Sequence, residues 1–296
     1  MTRWLLIQKD YGQLGNRLHT HANILAWCIE NKVNLVNLSF QKYSPSFSSN
    51  ECKSVEIFIS RKSRLVAILR SSYAKKLLDR LCRSNKWLKR LTKVMILEKK
   101  DSDYLSEKEL DQSFNSNRKA KALLVRSWDL KCPDSLNKHQ NAIRKILIPS
   151  KVFANAAESM IVKLRTNYDC VVGVHARRGD YEDYLEGIHF HSWDAYKEWI
   201  QQTRGLLEEQ GKGRVGFLLC SDDHTDKATF NDLPVAFGNS KSVMTDLHSL
   251  SLCDYNIGPP SSFGTWLSWY GKVPRLVIQK GLQIKSISQF VTCSQC

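Results

Sequence analysis

The residues with the clearest chemical potential lie in one short run, His175-Ala-Arg177-Arg178-Gly-Asp180. They follow segment 170–174, which is continuously apolar, as a parallel strand buried on both faces would be. The arginines therefore enter the loop at the carboxyl end of a strand, where open α/β sheets bind their ligands. A guanidinium can hold two phosphate oxygens, and it stabilises the charge on a departing diphosphate more than the ground state. Paired basic residues are often merely solvent-facing, but this position predicts a phosphate contact.

The other two members of the run have supporting roles in this interpretation. Asp180 can orient one of the arginines or cap the next segment, whereas His175 braces the loop rather than acting as a base. A second polar set, Ser221-Asp222-Asp223, follows the apolar segment 215–220. Its carboxylates can accept hydrogen bonds from a guanine edge or from ribose hydroxyls. The structural alternative for this set is capping of a following helix.

A third strand end precedes a predicted helix, in the run Pro259-Pro-Ser261-Ser262-Phe263-Gly-Thr265. Serine hydroxyls and the first backbone N–H groups of a helix form an anion site, although an ordinary N-cap has the same composition. Taken together, the three strand ends predict a pocket for a nucleoside diphosphate. Near the N-terminus, Tyr11-Gly-Gln-Leu-Gly15-Asn16-Arg17 is a tight strand-to-helix turn, but it matches neither the P-loop nor the dinucleotide fingerprint.

The elements that position these residues alternate between strands and helices, which predicts parallel sheets with crossover helices. The predicted strands are 4–8, 35–38, 123–127, 170–175, 215–220 and 275–278. The predicted helices are 18–31, 150–166, 193–208 and a segment that ends at Gly271. Segment 251–257 is expected to lead into a turn, and segment 39–63 to be a loop or insertion. We place the domain junction near 149–168, with domains 1–150 and 151–296.

The charge of the chain is concentrated in one segment. Its 44 Lys and Arg exceed its 29 Asp and Glu, and residues 61–100 alone hold 14 basic and two acidic side chains. Apolar residues at helical spacing over 65–95 predict one or two amphipathic helices. Their basic face could contact an anionic membrane surface or could simply be solvated, and both interpretations stay open. Aromatic residues are sparse here, so a nucleic-acid partner is not expected.

Composition excludes several other classes of protein. No apolar stretch approaches the roughly 18 residues that span a bilayer, and the N-terminal apolar run is too short for a signal peptide. The nine cysteines lack the dense spacing of a disulfide framework, which favours reduced thiols in a cytoplasm. Cys293-Ser-Gln-Cys296 has metal-ligand spacing but no second ligand pair, so no metal centre is expected.

Five motifs in this order resemble the α-1,2-fucosyltransferases and, more distantly, the α-1,6- and protein O-fucosyltransferases. They are Gly12-Gln-Leu-Gly-Asn16-Arg-Leu with its following helix, the run 175–181, Cys220-Ser-Asp-Asp223, the run 246–253 and Ser261-Ser-Phe-Gly-Thr-Trp266. The resemblance covers 5–30 and 170–280, whereas 39–165 does not align. It implies an α/β, GT-B-like architecture of two Rossmann-like domains facing a cleft. The N-terminal domain, which carries the basic segment, would lie on the acceptor side, and the C-terminal domain would bind a GDP-sugar.

The resemblance also implies an activity, its partners and a role for each matching residue. GDP-fucose would be the donor, an oligosaccharide or glycoconjugate the acceptor, and inversion would proceed with neither a divalent ion nor a cofactor. Arg177 and Arg178 would contact phosphate and assist its departure. Asp222 or Asp223 would hold guanosine, Ser261, Ser262 and Phe263 would close around the β-phosphate, and Gly15 and Asn16 would face the donor from the other domain.

Two departures from the family pattern leave the linkage open. The α-1,2 members usually read Asn-Ser-Thr-Phe-Ser-Trp-Trp where this chain has Pro260-Ser-Ser-Phe-Gly-Thr-Trp266, and Arg17 replaces a usual Gln. For the general base we hypothesise Glu186, placed as in the α-1,6 enzymes, with Asp180, Glu182 and Asp183 as competitors. The alternatives are transfer of another GDP-sugar, another fucose linkage, or a non-catalytic membrane- or polyanion-binding protein of the same fold. A cytoplasmic protein, with peripheral membrane contact through 61–100 as an addition, is the expected setting.

Overall fold

The computed structural model of the chain describes residues 3–7, 11–48, 94–98, 104–116, 120–127, 129–238 and 242–296. Apart from the last two residues, the chain divides into two compact units, Met1–Ile148 and Pro149–Ser294. Each unit is built around its own parallel sheet. The continuous apolar runs in the sequence are therefore strands covered on both faces. This agrees with the parallel sheets predicted from the alternation of strands and helices along the chain.

The first unit has a four-stranded parallel sheet in the order β2-β1-β5-β3 and a small parallel pair, β4-β6. Its strands are β1 (Trp4–Ile7), β2 (Asn34–Asn37), β3 (Val94–Glu98), β4 (Tyr104–Ser106), β5 (Ala122–Arg126) and β6 (Asp129–Lys131). Its described helices are α1 (Leu14–Asn31), α2 (Glu107–Ser116) and α3 (Pro133–Ile146). A short 3₁₀ turn, Ser44–Ser46, lies in the part of 39–63 that is described, in agreement with the predicted loop.

One helix prediction is wrong where it reaches β3. The helical spacing over 65–95 extends the predicted basic helices to Met95, but Met95 lies in a strand and pairs with Leu123 of β5. A short apolar run such as Val94-Met-Ile-Leu97 cannot be assigned to helix or strand by periodicity alone. The rest of the basic segment, 61–93 with 99 and 100, lies outside the described residues.

The second unit has a five-stranded parallel sheet in the order β11-β10-β7-β8-β9. Its strands are β7 (Cys170–Ala176), β8 (Val215–Ser221), β9 (Val235–Phe237), β10 (Tyr255–Gly258) and β11 (Arg275–Val277). Its described helices are α4 (Lys151–Arg165), α5 (Trp193–Glu209), α6 (Val243–Ser251) and α7 (Ser262–Gly271). Side chains of β7 and β8 pack with Tyr196, Trp199 and Ile200 of α5 in the core.

Segment 251–257 leads into a turn as expected, at Pro259 and Pro260, but the sequence reasoning did not identify the helix before it. Residue 251 ends α6, and β10 begins at Tyr255. Because almost the whole of α6 is buried, it lacks the alternation of apolar and polar faces by which a surface helix is recognised. Its start is fixed locally by the Ser242 hydroxyl, which accepts a hydrogen bond from the backbone N–H of Thr245 at 3.2 Å.

Two further expectations concern membranes and cysteines. Within the described ranges, no helix combines the length and the apolar character needed to cross a membrane. Of the seven described cysteines, Cys293 and Cys296 are partly exposed and the other five are buried.

Candidate functional site

The predicted donor residues of the second unit converge on one edge of its sheet. Strands β10, β7 and β8 are adjacent and parallel, so Gly258, Ala176 and Ser221 all lie at their carboxyl ends. The loops that follow these three strands contact one another. Ligands bind at this edge in open α/β sheets, next to the point where the strand order reverses, which here lies between β7 and β10.

Arg177 is held by the aspartate that follows it. Its Nε and Nη2 donate to Asp180 Oδ1 at 2.9 Å and Oδ2 at 2.6 Å, and its guanidinium lies 4.5 Å from the centroid of the Tyr181 ring. The Arg177 side chain is 20% exposed and that of Asp180 is 47% exposed. The hydrogen bonds from Arg177 hold the pKa of Asp180 below its usual value. Asp180 therefore orients an arginine, which is one of the two roles predicted for it.

Arg178 is fixed by residues distant in sequence. Its Nε donates to Asp223 Oδ2 at 3.2 Å, and its Nη1 donates to the carbonyl oxygen of His191. The guanidinium also lies 4.4 Å from the ring centroids of both Phe190 and Trp193. With 13% of its side chain exposed, Arg178 ties the loop after β7 to the loop after β8 and to the start of α5.

The two carboxylates after β8 hold backbone as well as side chains. Asp222 Oδ1 accepts from the backbone N–H of Arg178 at 2.8 Å and of Gly179 at 3.1 Å. Asp223 Oδ1 accepts from the backbone N–H of His224 at 2.6 Å. The alternative prediction of helix capping is wrong for this pair, because Asp226 caps the 3₁₀ turn that follows. Both carboxylates instead shape the arginine loop, and both side chains are exposed at the edge of the sheet.

The loop after β10 ends in the N-cap of α7. The Ser261 hydroxyl accepts from the backbone N–H of Gly264 at 2.9 Å, so the capping interpretation of this serine is confirmed. Ser262 and Phe263 then form the first turn of the helix. The Tyr181 hydroxyl donates to the carbonyl oxygen of Pro260, which joins this loop to the arginine loop.

His175 packs against the start of α7. Its ring stacks on Phe263 with centroids 4.5 Å apart and planes inclined by 27°. Burial, followed by the positive charges of Arg275 and Arg177, lowers the pKa of His175 to about 3. The imidazole is therefore neutral at neutral pH, and its Nδ1 has no hydrogen-bond partner within the described ranges. These properties suit the predicted bracing role and not that of a proton acceptor.

Glu186 lies in the exposed turn Tyr184–Gly187. Its φ is 57° and that of Leu185 is 50°, so two non-glycine residues adopt left-handed backbone that sequence reasoning did not anticipate. The turn also exposes 52% of Tyr184, 59% of Leu185 and 64% of Ile188. Among the described contacts, no hydrogen bond or ion pair joins the Glu186 carboxylate to the arginine loop, so its role as a base stays a hypothesis.

Gly15 and Asn16 lie in the first turn of α1, in the first unit. Gly12, with φ of +59°, leaves room for Asn16, because a Cβ at this glycine would lie 2.2 Å from Asn16 Nδ2. Arg17 donates to the carbonyl oxygens of Gly12 at 3.0 Å and Ser39 at 2.8 Å. The residue that departs from the family pattern thus closes the turn, and contact of this turn with a donor stays a prediction.

Sequence reasoning did not single out Phe190, Trp193 or Arg275. The first two are aromatic residues within 15 positions of the arginine pair, but their contact with Arg178 depends on the path of the loop. Arg275 is the first residue of an otherwise apolar strand. Charged residues are seldom buried without a partner, so a charge in this strand was the signal that could have identified it. In the part of the chain that is described, no group of His, Cys, Asp and Glu side chains is arranged to hold a metal ion.

Comparison with known proteins places this geometry in a structural class. No family model matches the chain. The solved structures with a similar fold include a mutant of Arabidopsis thaliana FUT1 in complex with GDP, with a TM-score of 0.59 and 13% identity, covering 95% of this chain and 71% of that one. The NodZ alpha-1,6-fucosyltransferase soaked with GDP-fucose has a TM-score of 0.52 and 13% identity, covering 98% and 97%. POFUT1 in complex with GDP has a TM-score of 0.51 and 13% identity, covering 95% and 99%.

The chain therefore has the GT-B-like α/β fold of these structures, and the expected resemblance to fucosyltransferases is confirmed at the level of the fold. The alpha-1,2-colitosyltransferase of Escherichia coli is 29% identical over 136 residues. This match covers 44% of the chain and 46% of that protein, so less than half of the relative is represented.

Proposed function

We propose that the chain is an inverting, metal-independent glycosyltransferase that transfers fucose from GDP-fucose to a glycan hydroxyl, forming an α-1,2 linkage. The observation that carries the proposal is the meeting of three loops at the carboxyl edge of one parallel sheet. These loops bring together Arg177, Arg178 and the N-terminus of α7. Two guanidinium groups and a helix N-terminus are the donor set that a diphosphate requires.

The reaction needs a site that favours the departing nucleotide. The acceptor oxygen forms a bond to the anomeric carbon, and the bond from that carbon to the β-phosphate oxygen breaks on the opposite face. The electron pair goes to the phosphate oxygen, where a guanidinium stabilises the increasing charge. The bidentate pair of Arg177 with Asp180 has the geometry that a phosphate would take, so Asp180 occupies the fork until the donor arrives.

The acceptor proton must also be removed. Asp180 is a weak candidate because its pKa is lowered by Arg177, and a weak base gains little from proton transfer. Glu186 stays our hypothesis for this role, because it lies on the same loop and its carboxylate is exposed. Glu182 and Asp183 are also exposed on this loop and remain its competitors.

The relatives support the choice of donor. The three solved neighbours were crystallised with GDP or soaked with GDP-fucose, and the colitosyltransferase is an alpha-1,2 enzyme. Colitose is fucose without its 3-hydroxyl, so transfer of this related sugar is the second candidate function, and the match to that enzyme favours it. A site that binds the 3-hydroxyl would reject the deoxy sugar by roughly 10⁴-fold, whereas an apolar pocket would discriminate far less.

The decisive experiment is product analysis with purified protein. GDP-fucose, GDP-colitose and GDP-mannose are each supplied with a panel of galactose- and GlcNAc-ended acceptors, and the linkage and the anomeric configuration of the product are determined by NMR. We expect fucosylated product with inverted configuration and an undiminished rate in EDTA. Loss of activity in EDTA that Mn²⁺ restores would contradict metal independence.

The same preparation separates the enzyme from the non-catalytic alternative. If GDP-fucose neither raises the melting temperature nor yields product, whereas anionic vesicles bind and neutralisation of 61–100 abolishes that binding, then a membrane-binding protein replaces our proposal. Peripheral membrane contact and a cytoplasmic location are additional parts of the proposal, and cell fractionation would test them.

A further inference from the structure

Arg275, the first residue of β11, is a buried cation at the site edge. Only 5% of it is exposed, and burial lowers its pKa. Its Nη2 donates to the carbonyl oxygens of Gly258 and Pro259. Within the described part of the chain, no carboxylate pairs with it, although Arg126, Arg165, Arg177 and Arg178 each have one. An arginine keeps its charge when buried, and a buried charge without a counter-charge is strongly unfavourable.

The guanidinium of Arg275 lies directly against the first turn of α7. A Cβ on Gly264 would lie 2.4 Å from Arg275 Nη2 and 2.5 Å from Cζ, so only glycine permits this approach. The backbone of Arg275 is fixed as well, because its N–H and carbonyl both bond to Val291 at 3.0 Å. The positive end of the α7 dipole and the guanidinium are thus held together, and each increases the affinity of this place for an anion.

The neighbouring histidine supports the same interpretation. His175 stacks on Phe263 in the first turn of α7, and its buried Nδ1 has no partner within the described ranges. The charge of Arg275 is one of the causes that keep this imidazole neutral. A neutral His175 adds no second positive charge beside the guanidinium, and it supplies no negative charge either. A cation, a helix N-terminus and an unpartnered polar atom meet here, and none of the residues that the structure describes places a carboxylate against the cation.

We propose that Arg275 is the buried counter-charge for a nucleoside diphosphate bound at the start of α7. This inference rests on the proposed function and extends it to a residue outside the arginine loop. Arg275 is a positioning residue, since it acts through its charge and through the Gly258–Pro259 turn that it holds. The ligand would supply the missing negative charge, so Arg275 should contribute to binding of the phosphates and not of the nucleoside.

The test compares GDP with guanosine by isothermal titration. Arg275→Met removes the charge and keeps an unbranched side chain, whereas Arg275→Lys keeps the charge. We expect Arg275→Met to weaken GDP binding by about tenfold or more, which corresponds to roughly 1.4 kcal/mol, and to leave guanosine binding unchanged. Arg275→Lys should recover a large part of the loss. Gly264→Ala, which displaces the guanidinium without deleting it, should also weaken GDP selectively.

The outcomes separate this inference from the proposed function. Equal GDP binding by Arg275→Met and the unaltered protein would overturn the inference alone, and so would a parallel loss of GDP and guanosine that Arg275→Lys does not recover. If Arg275→Met does not fold, as judged by circular dichroism, the Lys and Gly264→Ala variants carry the same comparison. If the unaltered protein binds no GDP, the proposed function fails, and inorganic pyrophosphate then tests Arg275 in the same variants. Absence of a difference with pyrophosphate would overturn the inference as well.

Discussion

Arg177 and Arg178 are adjacent in sequence but are held in opposite ways. Arg177 pairs with Asp180, which is three residues away and 47% exposed. Arg178 bonds to Asp223, 45 residues away, and lies between two aromatic rings. A local pair can open at small cost, because an exposed carboxylate regains water when it is released. Opening the Arg178–Asp223 pair would release the loop after β7 from the loop after β8 and from the start of α5.

This difference in partners suggests that the two arginines have different roles, one in contact with the leaving phosphate and the other in positioning the loop. Arg177 can exchange its carboxylate for a phosphate without disturbing the fold, so it is the better candidate for direct contact with the leaving group. Arg178 is better suited to hold the loop in which Arg177 lies. Sequence alone gave both arginines the same role, and the following predictions test whether they differ.

The largest effect should come from Arg177→Ala. We expect kcat for transfer to fall by about 10²-fold or more, because a fixed donor at the departing phosphate is lost. The melting temperature should change little, since the pair removed joins residues three positions apart and its carboxylate is 47% exposed. Initial rates with saturating GDP-fucose and acceptor, together with thermal denaturation, measure both quantities.

Arg165→Ala is the matched control for this variant. Arg165 also makes a two-point contact with a carboxylate, to Asp254 at 3.0 Å for both oxygens, but on the outside of the unit. Its loss should leave the transfer rate unchanged. An equal decrease of rate in both variants would mean that general electrostatics, and not contact with phosphate, explains the result.

Arg178→Met should show the reverse balance of effects. It leaves Asp223 and the His191 carbonyl without their donor, so we expect the free energy of unfolding to decrease by about 1–3 kcal/mol. Transfer should fall as well, by about tenfold, because Arg177 would be less well positioned. Urea denaturation and steady-state kinetics would quantify the two losses.

The comparison variant here is Arg204→Met, on the exposed face of α5. Arg204 pairs with Glu208 at 2.9 Å, and such a surface pair contributes only about 0.3–0.5 kcal/mol. One outcome would contradict the distinction between Arg177 and Arg178. In that outcome, Arg178→Met is as stable as Arg204→Met but loses as much activity as Arg177→Ala, so that both arginines have the same role.

Much of the second unit could be predicted from the sequence. The apolar runs of β7 and β8 identify buried parallel strands, and parallel strands place their following loops at a common edge. The polar residues after each strand could therefore be assigned to one site. What could not be predicted are contacts that depend on loop path, such as Arg178 with Trp193, and the partner of a residue such as Arg275.

The first unit was less predictable for a related reason. Strand β3 is a short apolar run beside a basic amphipathic pattern, and strands β4 and β6 have only three residues each. Such short elements are stabilised by the neighbours that they pair with, not by a pattern of their own. Left-handed backbone at Leu185 and Glu186 was also beyond prediction, because neither residue type favours it.

Asp180→Asn should give the smallest change in GDP affinity. It tests most directly whether Arg177, unlike Arg178, contacts the phosphate. The amide keeps an oxygen near Arg177 but removes the charge that competes with phosphate, so GDP should bind about threefold more tightly, roughly 0.6 kcal/mol. Because the pKa of Asp180 is held low, the carboxylate stays ionised at neutral pH, and substitution is the practical way to neutralise it. Titration with GDP gives the affinity, and the transfer rate tests the competing hypothesis that Asp180 is the base, which requires a large loss. Unchanged or weaker GDP binding would mean that the ligand leaves the Arg177–Asp180 pair intact, and Arg177 would then be a brace of the same kind as Arg178.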